Sequence, residues 1–195
     1  MKKILIIGSG GAGKSTLARE LGTILSLEVI HLDAWYWNPG WVETPKTEWQ
    51  SIIQDLTRRE SWIMDGNYGG TLDLRLSVAD TVIFLDFPRL LCLSRVIKRR
   101  FIYAGQSRPD MASDCLERLN WEFLKYIWSY PITRRPGILE KLSQVTPNQQ
   151  VIILCKPIEV REFLQNISHN SDLLNWFLLK LSERILHLLA KKRYR

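Results

Sequence analysis

The chain has 195 residues, 46% hydrophobic and 24% charged, with 11 Gly and 8 Pro. That size and balance fit a globular domain with a substantial core and exclude a disordered or collagen-like chain. The net charge is +7, but residues 169–195 carry six Lys and Arg against two Asp and Glu, which accounts for +4 of it; the basic balance belongs mostly to the C-terminal end and says little about what the main domain binds.

In chain order, a continuous apolar strand is expected over Lys3–Ile7 and a helix over Lys14–Leu25, with Leu17, Leu21 and Ile24 on one face. A short strand follows at Glu28–Leu32, then a tryptophan-rich loop, Asp33–Thr44, turning at Asn38-Pro39-Gly40. Next come a helix over Thr47–Arg58 with Thr47 as N-cap, a strand at Trp62–Met64 ending at Asp65-Gly66, and a strand at Thr81–Leu85 ending at Asp86, a turn residue. A helix over Arg89–Tyr103 leads into a polar loop, Ala104–Ser113, and a helix over Cys115–Ile127. A fifth strand, Val151–Leu154, and a helix, Ile158–Asn166, complete the pattern. Strands joined by helical crossovers imply an α/β fold with a parallel sheet covered on both faces. Leu173–Ala190 reads as an amphipathic helix with Leu174, Leu178, Leu181, Ile185 and Leu188 on one stripe, ending in Lys191-Lys-Arg-Tyr-Arg195. Packing on the protein is its expected use, with a second chain, an anionic membrane surface or nucleic acid as alternatives. The expected division is 1–167, with a lid around 104–113, and 168–195.

Gly8-Ser9-Gly10-Gly11-Ala12-Gly13-Lys14-Ser15 fits G-x-x-x-x-G-K-[ST] at every fixed position, after an apolar strand and at the start of a helix that continues with Thr16. Glycines let backbone N–H groups curl around phosphate oxygens, and the helix N-terminus adds positive potential. Lys14 would reach the β- and γ-phosphates of ATP and Ser15 would hold Mg²⁺. Gly8-x-Gly10-x-x-Gly13 also fits a dinucleotide fingerprint with Asp33 beyond it, but that motif gives no reason for Lys-Ser to follow.

Ligands in open parallel sheets sit beyond the carboxyl ends of the strands. Asp33 and Asp65 lie there. Asp33 is suited to accept a proton from a substrate hydroxyl or to hold Mg²⁺ through water, and Asp65 to back the Mg²⁺ site. Each has a plainer use as a turn or cap residue. Arg95 and Arg99 are four apart and share a helix face just before the polar loop, so they suit a triphosphate, and Arg108 in that loop would arrive over the transferred phosphoryl group. Trp35, Tyr36, Trp37 and Trp41 follow Asp33 and would form either an aromatic wall for a planar acceptor or an apolar cover. Arg75 would bind an acceptor phosphate or lie on the surface. His31 reads as a strand residue.

Together these residues resemble the P-loop kinases of the adenylate kinase and shikimate kinase type. Ser94-Arg-Val-Ile-Lys-Arg-Arg100 resembles the helix leading into the adenylate kinase lid, and Asp65-Gly66 the start of that family's Asp-Gly-Phe-Pro-Arg, with Asn67-Tyr68 replacing the rest. Within the group the segments IIGSGGAGKSTLA, HLDAWYWNPGW, DGNYGGTLDLR, ADTVIFLDFPR, SRVIKRR and RPDM are most similar to the adenylate kinase-related family labelled "DNA topology modulation protein", over about residues 1–165. The resemblance implies a P-loop NTPase three-layer sandwich with a five-stranded parallel sheet, ATP–Mg²⁺ binding and a lid. By position it implies that Arg95 packs on adenine, that Arg99 touches the phosphates, and that Cys155-Lys156-Pro157 forms the adenine-contacting loop. Asn67 and Tyr68 fall beside the acceptor.

The expected function is a small-molecule kinase, with ATP and an unidentified small acceptor as partners and Lys14, Asp33, Arg99 and Arg108 as the catalytic set. A nucleotide-dependent DNA-associated protein is the alternative, although the main domain's charge does not support it; monomer and dimer both remain open. Cys92, Cys115 and Cys155 are far apart and lack CxxC spacing, which argues against a disulfide framework or zinc site and fits a reducing, cytoplasmic location. No stretch reaches eighteen apolar residues without a charge, so no membrane span is expected. The apolar run Ile4–Ile7 is too short for a secretion signal.

Overall fold

The computed structural model describes residues 1–112 and 114–168. The expected amphipathic helix Leu173–Ala190 lies outside the described residues. The chain divides into two compact units, Met1–Lys156 and Pro157–Arg195. The second contributes helix α8 (Pro157–Ser168), whose buried residues are Phe163 and Ile167.

The first unit is built on a five-stranded parallel sheet of β1 (Lys3–Gly8), β2 (Val29–His31), β5 (Trp62–Asp65), β6 (Thr81–Leu85) and β7 (Gln150–Leu154), in the order β2-β5-β1-β6-β7. All five expected strands are present. Their near-continuous apolar character follows from burial on both faces. Leu5, Ile7, Ile30, Met64, Val82 and Phe84 pack in one cluster with Trp49 and Ile53 of α3 (Lys46–Arg58), Leu72 and Leu76 of α4 (Leu72–Val78), and Ile138 and Leu142 of α7 (Arg135–Ser143). Helix α1 (Lys14–Leu25) buries Leu17, Ala18 and Leu21. Helix α5 (Arg89–Ile102) buries Cys92 and Val96. The chain leaves β1 for β2 and β5, then passes back across β1 to β6. The reversal lies beside β1, so the ends of β1 and β5, at Gly8 and Asp65, border the ligand crevice typical of such sheets.

Several expected boundaries shift. The segment Asp33–Thr44 is not an open loop: α2 (Leu32–Tyr36) continues β2, and β3 (Trp37–Asn38) pairs antiparallel with β4 (Val42–Glu43), turning through Gly40 and Trp41 at φ 76° and 65°. Helix α3 begins at Lys46, with Pro45 at the N-cap position instead of Thr47; the fixed φ of proline serves there without needing a side-chain cap. The helix expected at Cys115–Ile127 is α6 (Trp121–Thr133), because the Asn120 side chain accepts from the Glu122 N–H at 2.8 Å and caps it there. Helices α4 and α7 were not expected. Asp86 does more than turn the chain: it forms a bidentate pair with Arg135 of α7 at 2.8 Å.

Candidate active site

From β1 the chain turns through Ser9–Gly13 into α1, with φ 76° at Gly11 and 96° at Gly13. A side chain at Gly11 would strike the Cys92 carbonyl of α5, and one at Gly10 would strike the Phe123 ring of α6. Both helices therefore press on the loop and require glycine there. Lys14 Nζ donates to the Ser9 carbonyl at 3.1 Å, and Arg95 Nη1 donates to the Ala12 carbonyl at 2.9 Å. Burial pushes the Lys14 pKa down, while the carboxylates of Asp33 and Asp65 work to hold it up. Thr16 is exposed on α1.

The Ser15 hydroxyl donates to Asp65 Oδ2 at 2.7 Å, and Asp65 Oδ1 meets His31 Nδ1 at 2.6 Å. Asp65, 4% exposed, thereby joins the ends of β2 and β5 to the start of α1. Burial opposes a charge on His31, but the bond to Asp65 and the carboxylate's field leave its pKa raised. A hydroxyl that gives its proton to a carboxylate turns its lone pairs to a cation, so Ser15 backed by Asp65 fits Mg²⁺ bound together with phosphate oxygens. Among the described residues no group of three or more His, Cys, Asp and Glu could hold a metal by itself.

Across the crevice, Asp33 Oδ1 accepts from the Tyr68 hydroxyl at 2.6 Å, and Tyr68 has a further hydrogen bond with Trp37, whose indole N–H is the donor. Burial raises the Asp33 pKa against the lowering influence of Tyr68 and Lys14. Tyr68 sits at φ 25°, a strained value for a residue with a side chain. Asn67 links both sides: its Oδ1 accepts from the Gly8 N–H at 3.0 Å, and its Nδ2 donates to the Tyr126 hydroxyl of α6 at 2.8 Å. Tyr36, Trp49 and Tyr68 pack ring to ring with centroids 4.7–5.1 Å apart, while Trp35 is 45% exposed.

Arg75 is placed differently from its expectation. It is 0% exposed, and its guanidinium donates to the carbonyls of Gly66 at 2.9 Å, Asn67 at 2.7 Å, Tyr68 at 2.8 Å and Thr71 at 3.3 Å. It is a tie-bar for the strained loop, and burial pulls its pKa down to about 9. It is neither a surface residue nor open to an acceptor phosphate.

Arg99 and Arg108 converge on an acid absent from the expected set. Glu117, 4% exposed, pairs with Arg99 at 2.9 Å and Arg108 at 2.8 Å. Arg108 also pairs with Asp110 at 2.9 Å. Burial opposes ionisation of Asp110, but the Arg108 guanidinium holds its pKa low. Arg95 also faces the Phe87 ring, with its guanidinium carbon 5.2 Å from the centroid. Lys156 closes the first unit and Pro157 opens α8 in the second. Glu117, Asp110 and Tyr126 were not singled out in the sequence; only the acidic side chains among lid arginines hinted at the first two.

No family model matches the chain. Over 125 residues it is 32% identical to the uncharacterized protein YqaC of Bacillus subtilis, covering 60% of this chain and 70% of that protein. It is 27% identical to the shikimate kinase of Pseudoalteromonas translucida over 135 residues, 60% of this chain and 77% of the relative. In fold it is similar to the shikimate kinase from Acinetobacter baumannii in complex with shikimate, with a TM-score of 0.51 and 17% identity over 100% of this chain and 96% of that one.

Proposed function

The chain belongs to the P-loop kinases of the adenylate kinase and shikimate kinase type, and from that premise we propose that it transfers the γ-phosphate of ATP to the hydroxyl of a small acceptor. The observation that carries this reading is the meeting of three groups in one crevice: the Lys14 ammonium on the phosphate loop, the Ser15–Asp65 pair, and the Asp33 carboxylate facing them.

The loop N–H groups and Lys14 bind the β- and γ-phosphates, and Ser15, backed by Asp65, holds Mg²⁺. When bound, the ion neutralises charge on the phosphate oxygens. Asp33 takes the proton of the acceptor hydroxyl as its oxygen bonds to the γ-phosphorus and the bond to the β-phosphate oxygen breaks, releasing ADP. A carboxyl pKa raised by burial suits a base that must later return its proton. Arg99 holds the phosphates from α5, and Arg108 in the lid segment meets the charge that spreads over the transferred group. Arg95 and Lys156 are assigned to adenine.

Among the described residues no helix is long and apolar enough to cross a membrane, and the cysteines form no disulfide. We place the reaction in the cytoplasm, where ATP is supplied and thiols stay reduced. The test is a screen of nucleosides, nucleotides, sugars, shikimate and simple alcohols for acceptor-dependent ADP release, with the product identified by phosphorus NMR. A phosphorylated acceptor formed at the same rate with and without duplex DNA is the expected result. ATP binding with no acceptor phosphorylated, together with a steeply salt-dependent affinity for duplex, would replace it with the DNA-associated reading.

A further inference from the structure

Tyr68 sits at φ 25° and ψ 73°, a backbone conformation that persists in a residue with a side chain only where its surroundings over-determine it. Here they do. Gly66 lies so close to the first residue of α2 that a side chain on it would come within 2.9 Å of the Leu32 Cβ, one residue before Asp33. Asn67 accepts from the Gly8 N–H and donates to the Tyr126 hydroxyl. The Tyr68 carbonyl accepts from Arg75 at 2.8 Å and from the Thr71 N–H and hydroxyl at 3.0 and 3.2 Å. The Tyr68 ring packs on Tyr36 and Trp49, with centroids 4.7 and 4.9 Å away. With backbone and ring both set, the phenol oxygen is aimed at Asp33 and donates to Oδ1 at 2.6 Å. A tyrosine that only needed a partner for its hydroxyl would not require a strained backbone to find one.

We propose that Tyr68 is the positioning residue of the phosphotransfer base: its hydroxyl pins Asp33 through Oδ1, so that Oδ2 takes the proton of the acceptor hydroxyl. The proposal rests on the phosphotransfer reading for the role of Asp33. A carboxylate turns about its Cβ–Cγ bond, and a fixed donor on one oxygen removes that freedom before the acceptor arrives. Burial and the neighbouring Asp33 carboxylate push the Tyr68 phenol pKa up, so Tyr68 keeps its own proton and stays a donor throughout. The same bond tunes the base. Burial raises the Asp33 pKa; the Tyr68 hydrogen bond and Lys14 lower it, Asp65 raises it and Arg108 lowers it, while Tyr126 faces it from α6. Removing the Tyr68 hydroxyl therefore moves Asp33 further up and leaves less of it ionised at a given pH.

Tyr68→Phe keeps the ring and deletes only the hydroxyl. The full chain is labelled with carboxyl-13C aspartate, and the Asp33 signal is identified by its loss in Asp33→Asn. Its titration should move to higher pH in Tyr68→Phe. ADP release from Mg²⁺–ATP is followed from pH 5 to pH 9 with water, nucleosides, sugars, shikimate and simple alcohols offered as acceptors. In Tyr68→Phe kcat should fall about 10-fold at neutral pH, KM for ATP should not change, and the acid limb of the profile should follow the titration. An Asp33 signal that titrates as in the parent would overturn the proposal and leave phosphotransfer intact. So would a shifted titration with the parent's kcat and acid limb. Asp33→Asn turning over like the parent, or a folded parent that releases no ADP with any of these acceptors, would overturn the phosphotransfer reading and the proposal with it.

Discussion

The two sides of the crevice use arginine in opposite ways. On the phosphate side, Arg99 and Arg108 are held by carboxylates, and Arg95 by a single loop carbonyl. Such contacts can be exchanged for phosphate oxygens, which offer the same charge or better geometry. On the acceptor side, Arg75 is bound to four carbonyls and shut away from solvent, and nothing that enters the crevice can compete for it. The lesson is that a guanidinium near a site acts as ligand or as scaffold according to what its N–H groups already meet.

The largest expected effect tests the scaffold half. Arg75→Ala leaves four carbonyls of a strained loop without their donor, which should cost about 3–5 kcal/mol and lower the melting temperature by roughly 6–20 °C. Arg75→Lys should recover little, because an ammonium cannot span the same fork. If Arg75→Ala melts like the parent and loses only acceptor affinity, the residue belongs to the binding surface and the contrast fails.

Next is Asp33→Asn, which keeps the shape and the bond from Tyr68 but removes the proton acceptor. Transfer should fall about 100-fold with ATP affinity unchanged; single-turnover kinetics beside calorimetry would show whether both hold. Glu117→Gln sharpens the ligand half. With the shared carboxylate neutralised, Arg99 and Arg108 lose the group that aligns them, and kcat should drop roughly 10-fold. Steady-state kinetics should also separate the two arginines, with Arg99→Ala raising KM for ATP and Arg108→Ala lowering kcat. An unchanged kcat in Arg108→Ala would make the lid segment a passive connection.

The smallest effect concerns the His31–Asp65 pair. The His31 pKa is raised above its ordinary value of 6.5, so the stability this pair adds is fully present below about pH 6.5 and is lost as pH rises through the folded value. Denaturation midpoints measured from pH 5 to pH 9 should decline across that window in the parent and flatten in His31→Gln.

The same division explains what could be read from the chain. The phosphate loop was legible because its contacts are local: Lys14 meets the Ser9 carbonyl five residues back, and glycines at fixed spacing set the curl. The strands were legible because burial on both faces leaves uninterrupted apolar runs. The acceptor side joins Tyr68 to Asp33 and Asn67 to Tyr126, contacts made only when the sheet and α6 come together. The place of Arg75 is illegible because burial of a charged residue leaves no mark in the sequence when its partners are carbonyls. Glu117 precedes the Asn120 cap, so it lies in the loop before α6 where the apolar pattern suggests helix. Pro136, near the start of α7, is a local signal for that helix.

The central claim is that the phosphate side binds a triphosphate through Lys14. Calorimetric titration of the full chain and of Lys14→Ala with a non-hydrolysable ATP analogue and Mg²⁺ tests it most directly. The parent should bind, and Lys14→Ala should keep its fold by circular dichroism but lose at least about ten-fold in affinity, with turnover falling at least ~100-fold. Equal affinity and turnover in the two proteins, or no binding by the folded parent, would contradict the account.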